Sequence, residues 1–127
     1  MRLTQQTDTS IRILLYCATH PGTTRIRDVA TAYGVSELNL FKIMRPLVEN
    51  GIVESIRGRK GGIRLARPAG VICFVDVVRA TETNLNLADC FGTDHRDCLL
   101  VDACGFNNAL REALAAFFAV LDRYSIA

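Results

Sequence analysis

Apolar residues recur at helical spacing through residues 8–19, DTSIRILLYCAT, where Ile11, Leu14, Leu15 and Ala18 fall at i, i+3, i+4 and i+7. This spacing predicts a first helix, capped by Thr7 or Asp8 and stopped at His20-Pro21-Gly22. Residues 26–33, IRDVATAY, repeat the pattern with Ile26, Val29, Ala30 and Tyr33 on one face. Gly34 then supplies a stop and Ser36 a cap for the next helix. That third helix is expected from about Glu37 to Asn50, with Leu40, Ile43, Met44, Leu47 and Val48 as its buried stripe. Pro46, inside it, removes a hydrogen bond and predicts a kink. The period then shifts to two: Ile52–Ile56 and Ile63–Leu65 are β-rich and flank the turn Arg57-Gly58-Arg59-Lys60-Gly61-Gly62.

Pro68 and Gly70 close this half. Residues 71–80, VICFVDVVRA, read as a short strand-like lead into a helix near 75–80. A long helix follows from about Gly105 to Tyr124, with Leu110, Leu114, Phe117, Phe118 and Leu121 on one side. Helix, short glycine-containing turn, helix and basic hairpin make a winged helix-turn-helix. The expected fold is therefore mainly α with a small β-hairpin. Residues 1–68 form the winged helix-turn-helix, and residues 69–127 a cysteine-bearing loop and a long C-terminal dimerisation helix. The apolar side of that helix is too broad for a small domain to cover alone, which points to a two-fold homodimer, with packing against the first helix of the same chain as the plainer alternative.

Charge sharpens this picture. Residues 1–68 hold eleven Lys/Arg against five Asp/Glu, a net +6, whereas residues 69–127 hold four against eight, a net −4. A basic front suits a polyanionic partner. No apolar run approaches a membrane span, and the polar opening MRLTQQTDTS does not read as a signal peptide, so a cytoplasmic protein is expected. Paired catalytic carboxylates, a nucleotide loop and a recognisable substrate pocket motif are all lacking, which argues against an enzyme or a small-molecule substrate.

In a helix-turn-helix the second helix of the pair reads the major groove of double-stranded DNA. Ser36, Glu37, Leu38, Asn39, Phe41, Lys42 and Arg45 lie near the start of that helix. Asn pairs with adenine, Glu accepts from cytosine, apolar groups touch thymine methyls, and Lys42 and Arg45 suit phosphates. Arg57, Arg59 and Lys60 at the wing tip suit the narrow minor groove of A/T-rich DNA. The plainer alternatives are a solvated helix face and a cationic hairpin without a ligand.

Of five cysteines, Cys90, Cys98 and Cys104 stand at C-x7-C-x5-C, without the paired spacing of a zinc ribbon. Soft thiolates in a reducing compartment point to an iron–sulfur cluster. Three thiolates leave one ligand to find among His95, Asp89, Asp94, Asp97, Asp102, an exogenous molecule, or Asp8 carried across a dimer. Three free thiols, or a metal-free disulfide switch, are the alternatives. Cys17 and Cys73 sit in apolar runs and read as core residues.

The opening MRLTQQTD, the segment YGVSELNLFKI, the wing NGIVESIRGRKGGIRLARP and the trio Cys90, Cys98, Cys104 together resemble the family of winged helix-turn-helix transcription regulators that carry iron–sulfur clusters, of IscR, NsrR and RirA type. The likeness spans essentially the whole chain, and YCA, SIRGRKGG and the ending ALREALAAFFAVLDRYSI resemble the iron-responsive RirA type most. It implies a homodimeric repressor that binds an A/T-rich palindromic operator while a [4Fe–4S] cluster is intact, with a [2Fe–2S] form as an intermediate of cluster loss. In the IscR type a His three residues after the last cysteine is a ligand; that position here is Asn107. In the NsrR type a partner's Asp near the N-terminus completes the site, and Asp8 stands at the matching position, which keeps nitric oxide or redox sensing open.

Overall fold

A computed structural model describes residues 3–59, 61–83 and 105–127. Its first helix, α1 (Gln5–Thr19), begins three residues before the expected start. The cap is Thr4, not Thr7 or Asp8: Thr4 is extended and its hydroxyl accepts from the Thr7 N–H at 3.3 Å. The inward face differs too. Thr7, Thr9, Ser10, Ile13, Leu14 and Cys17 are buried, whereas Ile11 and Ala18 are half-buried and Leu15 is exposed. Three hydroxyl residues on the buried face made the outer stripe look like the core.

Helix α2 (Ile26–Tyr33) ends on Gly34 in the left-handed region, φ 65°, which L side chains rarely adopt. Helix α3 (Glu37–Glu49) starts at Ser36, whose hydroxyl accepts from the Asn39 N–H at 3.2 Å. It is continuous through Pro46, whose carbonyl accepts from the Asn50 N–H at 3.0 Å and Asn50 Nδ2 at 2.7 Å. Leu40, Ile43, Met44 and Leu47 are buried as expected; Val48 is exposed, a quarter-turn past the stripe.

Strands β1 (Val53–Ile56) and β2 (Gly62–Leu65) pair antiparallel, with Val53 opposite Leu65 and Glu54 opposite Arg64, and those two charges form an ion pair. A 3-10 turn, Ala69–Val71, leads to α4 (Phe74–Thr81). The Asp76 carboxylate accepts from the Cys73 N–H at 3.0 Å, tying down the start of α4. Cys73 is therefore a half-buried cap residue and not the core residue expected. Helix α5 (Gly105–Asp122) packs against α4, with Arg79 stacked 4.8 Å from the Phe118 ring. The chain end returns to pair with the start of α4: Ile126 N–H donates to Ile72 O at 2.9 Å and Phe74 N–H to Tyr124 O at 3.0 Å.

One hydrophobic cluster joins these elements. Ile13, Leu14, Leu40, Leu47, Ile52, Ile63, Ile72 and Val77 are almost fully buried in it, together with Ile126. Each such side chain contributes about 1.5–3 kcal/mol of transfer free energy. The cluster holds the outer faces of α3 and the hairpin in fixed relation.

Candidate functional site

The start of α3 presents a mixed apolar and polar edge to solvent because Leu40, Ile43 and Leu47 turn the opposite side into the core. Leu38 is 70% exposed and Phe41 56%, with Glu37, Asn39 and Lys42 exposed beside them. Large apolar side chains left in water on a capped helix start are costly unless something covers them. Ser36 is also exposed, but its hydroxyl is engaged as the cap. Two charged residues of the expected set have protein partners: Arg45 pairs with Glu49 at 3.0 Å and Glu37 with Arg27 at 3.7 Å. Both are exposed pairs, worth about 0–1 kcal/mol, so either side chain can leave for a stronger partner.

Arg57 and Arg59 stand exposed beyond β1, beside Gly58 at φ 106°. Lys60 lies outside the described residues. The wing is held to the helical body by Thr24, which exchanges two backbone hydrogen bonds with Ile63, each 2.7 Å. Gly62 is required there: a Cβ would meet the Thr24 carbonyl oxygen at 2.1 Å. This bridge had no signal in the hydrophobic pattern, because Thr24 sits in a polar turn. It brings two residues that the sequence reading passed over, Arg25 and Arg27, to the side of the wing.

Cys90, Cys98 and Cys104 lie outside the described residues, as do Asp89, Asp94, His95, Asp97 and Asp102. Asp8 is described: it is exposed on the first turn of α1 and pairs with Arg12 at 3.1 Å. The same end of α1 binds the end of α4. Glu82 Oε1 accepts from Thr4 N–H at 2.7 Å, from the Thr7 hydroxyl at 2.8 Å and from the Thr4 hydroxyl at 3.2 Å. The hydroxyls of Thr7 and Thr81, both buried, meet at 2.6 Å. The end of α4 is thus fixed against Thr4 and Thr7, in the turn of α1 that carries Asp8. Asn107, in the first turn of α5, is buried, and its Oδ1 accepts from Arg111 Nε at 2.8 Å. Cys17 is a core residue; burial pushes its thiol pKa up, partly offset by a hydrogen bond with Thr24, so it stays protonated and inert.

Among the described residues no helix is long and apolar enough to cross a membrane. A family model described as "Rrf2: Iron-dependent Transcriptional regulator" matches residues 3–127. The chain is 54% identical over 127 residues to Protein aau3 of Rhizobium meliloti (strain 1021), covering 99% of this chain and 82% of that one. It is 40% identical over 128 residues to the HTH-type transcriptional regulator NsrR of Bacillus licheniformis, covering 99% and 90%. Among solved structures, T. potens IscR superposes with a TM-score of 0.78 at 22% identity, covering 99% of this chain and 83% of that one. The oxidized form of Staphylococcus aureus CymR superposes at 0.75 and 21%, covering 99% and 93%. The two superpositions establish the winged-helix fold.

Proposed function

The chain belongs to the Rrf2 family of transcriptional regulators, and from that premise we propose that it is an iron-responsive repressor that binds an A/T-rich palindromic operator as a homodimer, under the control of an iron–sulfur cluster. Members of this family are DNA-binding regulators and not enzymes. The observation that carries the proposal is the pairing of an exposed apolar-and-amide edge on α3 with a basic wing, both held by one core. Leu38 and Phe41 would meet thymine methyls and Asn39 an adenine edge, while Lys42 and Arg45 would hold phosphates. Arg57, Arg59 and Lys60 would enter the adjacent minor groove.

Helix α5 supports a second copy. Only Asn107 on it is fully buried; Leu110, Leu114, Phe117, Phe118 and Leu121 are half-covered, and Phe106 and Val120 are exposed. A two-fold axis there would set the two α3 helices about one DNA turn apart or a multiple of it.

Cys90, Cys98 and Cys104 would hold a [4Fe–4S] cluster, with the partner subunit's Asp8 as fourth ligand. The donor chemistry fits: the thiolates are soft, and the Asp8 carboxylate is exposed and, among the described residues, held by one surface ion pair. When bound, such a cluster supplies a centre that iron shortage or oxidants degrade. The part of the protein is to hold the exit from α4 against the start of α1, through Thr4, Thr7 and Glu82, so that a change in the cysteine segment is felt at a fixed place on the DNA-reading unit.

Anaerobic purification followed by absorption spectroscopy, iron and sulfide counts and operator binding tests this reading. Brown protein with about four irons per chain and cluster-dependent operator binding is expected. Cys90→Ala, Cys98→Ala and Cys104→Ala should each lose colour and operator affinity together. Retained iron-dependent repression in all three would overturn it. Colourless protein that still responds to peroxide would mark a metal-free thiol switch. The position of Asp8 and the likeness to NsrR favour a second reading within the family, nitric oxide sensing; cluster loss on nitric oxide at unchanged iron would select it.

A further inference from the structure

A cleft of about 440 Å³ lies between α2, the start of α3 and the wing. Arg25, Arg27, Asp28, Glu37, Phe41 and Arg59 line it together with wing glycines. Glu37 is held by Arg27, which leaves Arg25 and Arg59 facing Asp28, a net positive cleft. Arg25 has no carboxylate partner among the described residues. Its backbone is fixed, because the preceding Thr24 is bonded in both directions to Ile63 of β2. A long cation rooted on fixed backbone, between two elements that address DNA, is placed to hold an anion.

Helix geometry supplies the anion. A duplex that offers its major groove to α3 and the neighbouring minor groove to the wing must lay the phosphate ridge dividing those grooves over this cleft. We infer that Arg25 binds a backbone phosphodiester of the operator there, with Arg27 screening Glu37 from the same phosphate. This rests on the DNA-binding reading but names a contact outside α3 and the wing tip. It positions the duplex and carries no base preference.

The test measures binding of the holoprotein dimer to an operator duplex and to an unrelated duplex across a salt series. Arg25→Ala should weaken both by the same factor, roughly tenfold for the charge-assisted bond lost in each protomer and so about a hundredfold for the dimer. It should also shallow the slope of log affinity against log salt by about 2, one per protomer. Arg25→Lys should keep most of the slope, and iron and sulfide content should not change. Unchanged affinity and slope in Arg25→Ala overturn the inference while the parent protein's binding stands. A loss confined to certain operator base pairs, at constant slope, also overturns it, since that marks base reading. A parent protein that binds neither duplex in any cluster state overturns this inference and the function together. Should Arg25→Ala melt early, ethylation interference on the unaltered protein decides. Blocked binding on ethylating the phosphate between the two grooves supports the contact, and undisturbed binding refutes it.

Discussion

Two hydroxyls on the inner face of α1 have opposite situations. Thr7 is satisfied by Glu82 and Thr81, whereas Ser10 Oγ is buried without a partner among the described residues. Deleting a partnered buried hydroxyl costs about 1–3 kcal/mol, while deleting an orphan removes a desolvation penalty. Thr7→Val is therefore expected to lower stability by about that amount in urea unfolding, and Ser10→Ala to leave it unchanged or raise it. Equal losses in both would show that the packing of α1, and not the network to Glu82, sets the cost. The same residues explain why α1 was misread. Period-3.6 reasoning seeks apolar side chains, and here half of the inward stripe is Thr and Ser, of which Thr7 is made inward-compatible by a carboxylate 75 residues away in sequence. Such a partner is invisible locally.

Among the elements, α2, α3 and the hairpin were legible because their signals are local: Gly34 for a left-handed stop, Ser36 for a cap, and a change of period at Ile52. The exposed edge of α3 followed from the same stripe that locates its core. What stayed hidden was the coupling of elements. The Thr24–Ile63 bridge makes a third, one-residue edge to the wing, and Gly62 leaves room for it. Gly62→Ala is expected to push the wing off Thr24, because the new methyl collides with backbone that cannot yield. The prediction is reduced operator affinity with a smaller salt slope, read by fluorescence anisotropy, while circular dichroism keeps its helical signal. Undiminished binding would mean that the wing acts independently of its anchor.

On the scale of the whole molecule, the charge asymmetry and the broad apolar side of α5 were readable from composition and spacing alone. The cofactor reading rests on donor types and spacing, since the cysteine trio lies outside the described residues. The exposed Val120 gives a direct check on assembly. Val120→Glu should shift sedimentation toward monomer and weaken palindrome binding far more than half-site binding, because it removes the coupling of two heads without touching either. A variant that remains dimeric would move the contact to another face of α5.

The bond between Thr24 and Ile63 has a consequence for the DNA as well. Because it joins the wing to the same frame that carries α3, the protein acts as a ruler with two fixed marks. Inserting one base pair between the segment read by α3 and the flank entered by the wing shifts the second mark by about 3.4 Å and rotates it by roughly a tenth of a turn. The Thr24–Ile63 bonds hold the base of the wing against following it. Operators should therefore hold an invariant phase between a specified core and its A/T-rich flank, even where the bases in between are free to drift.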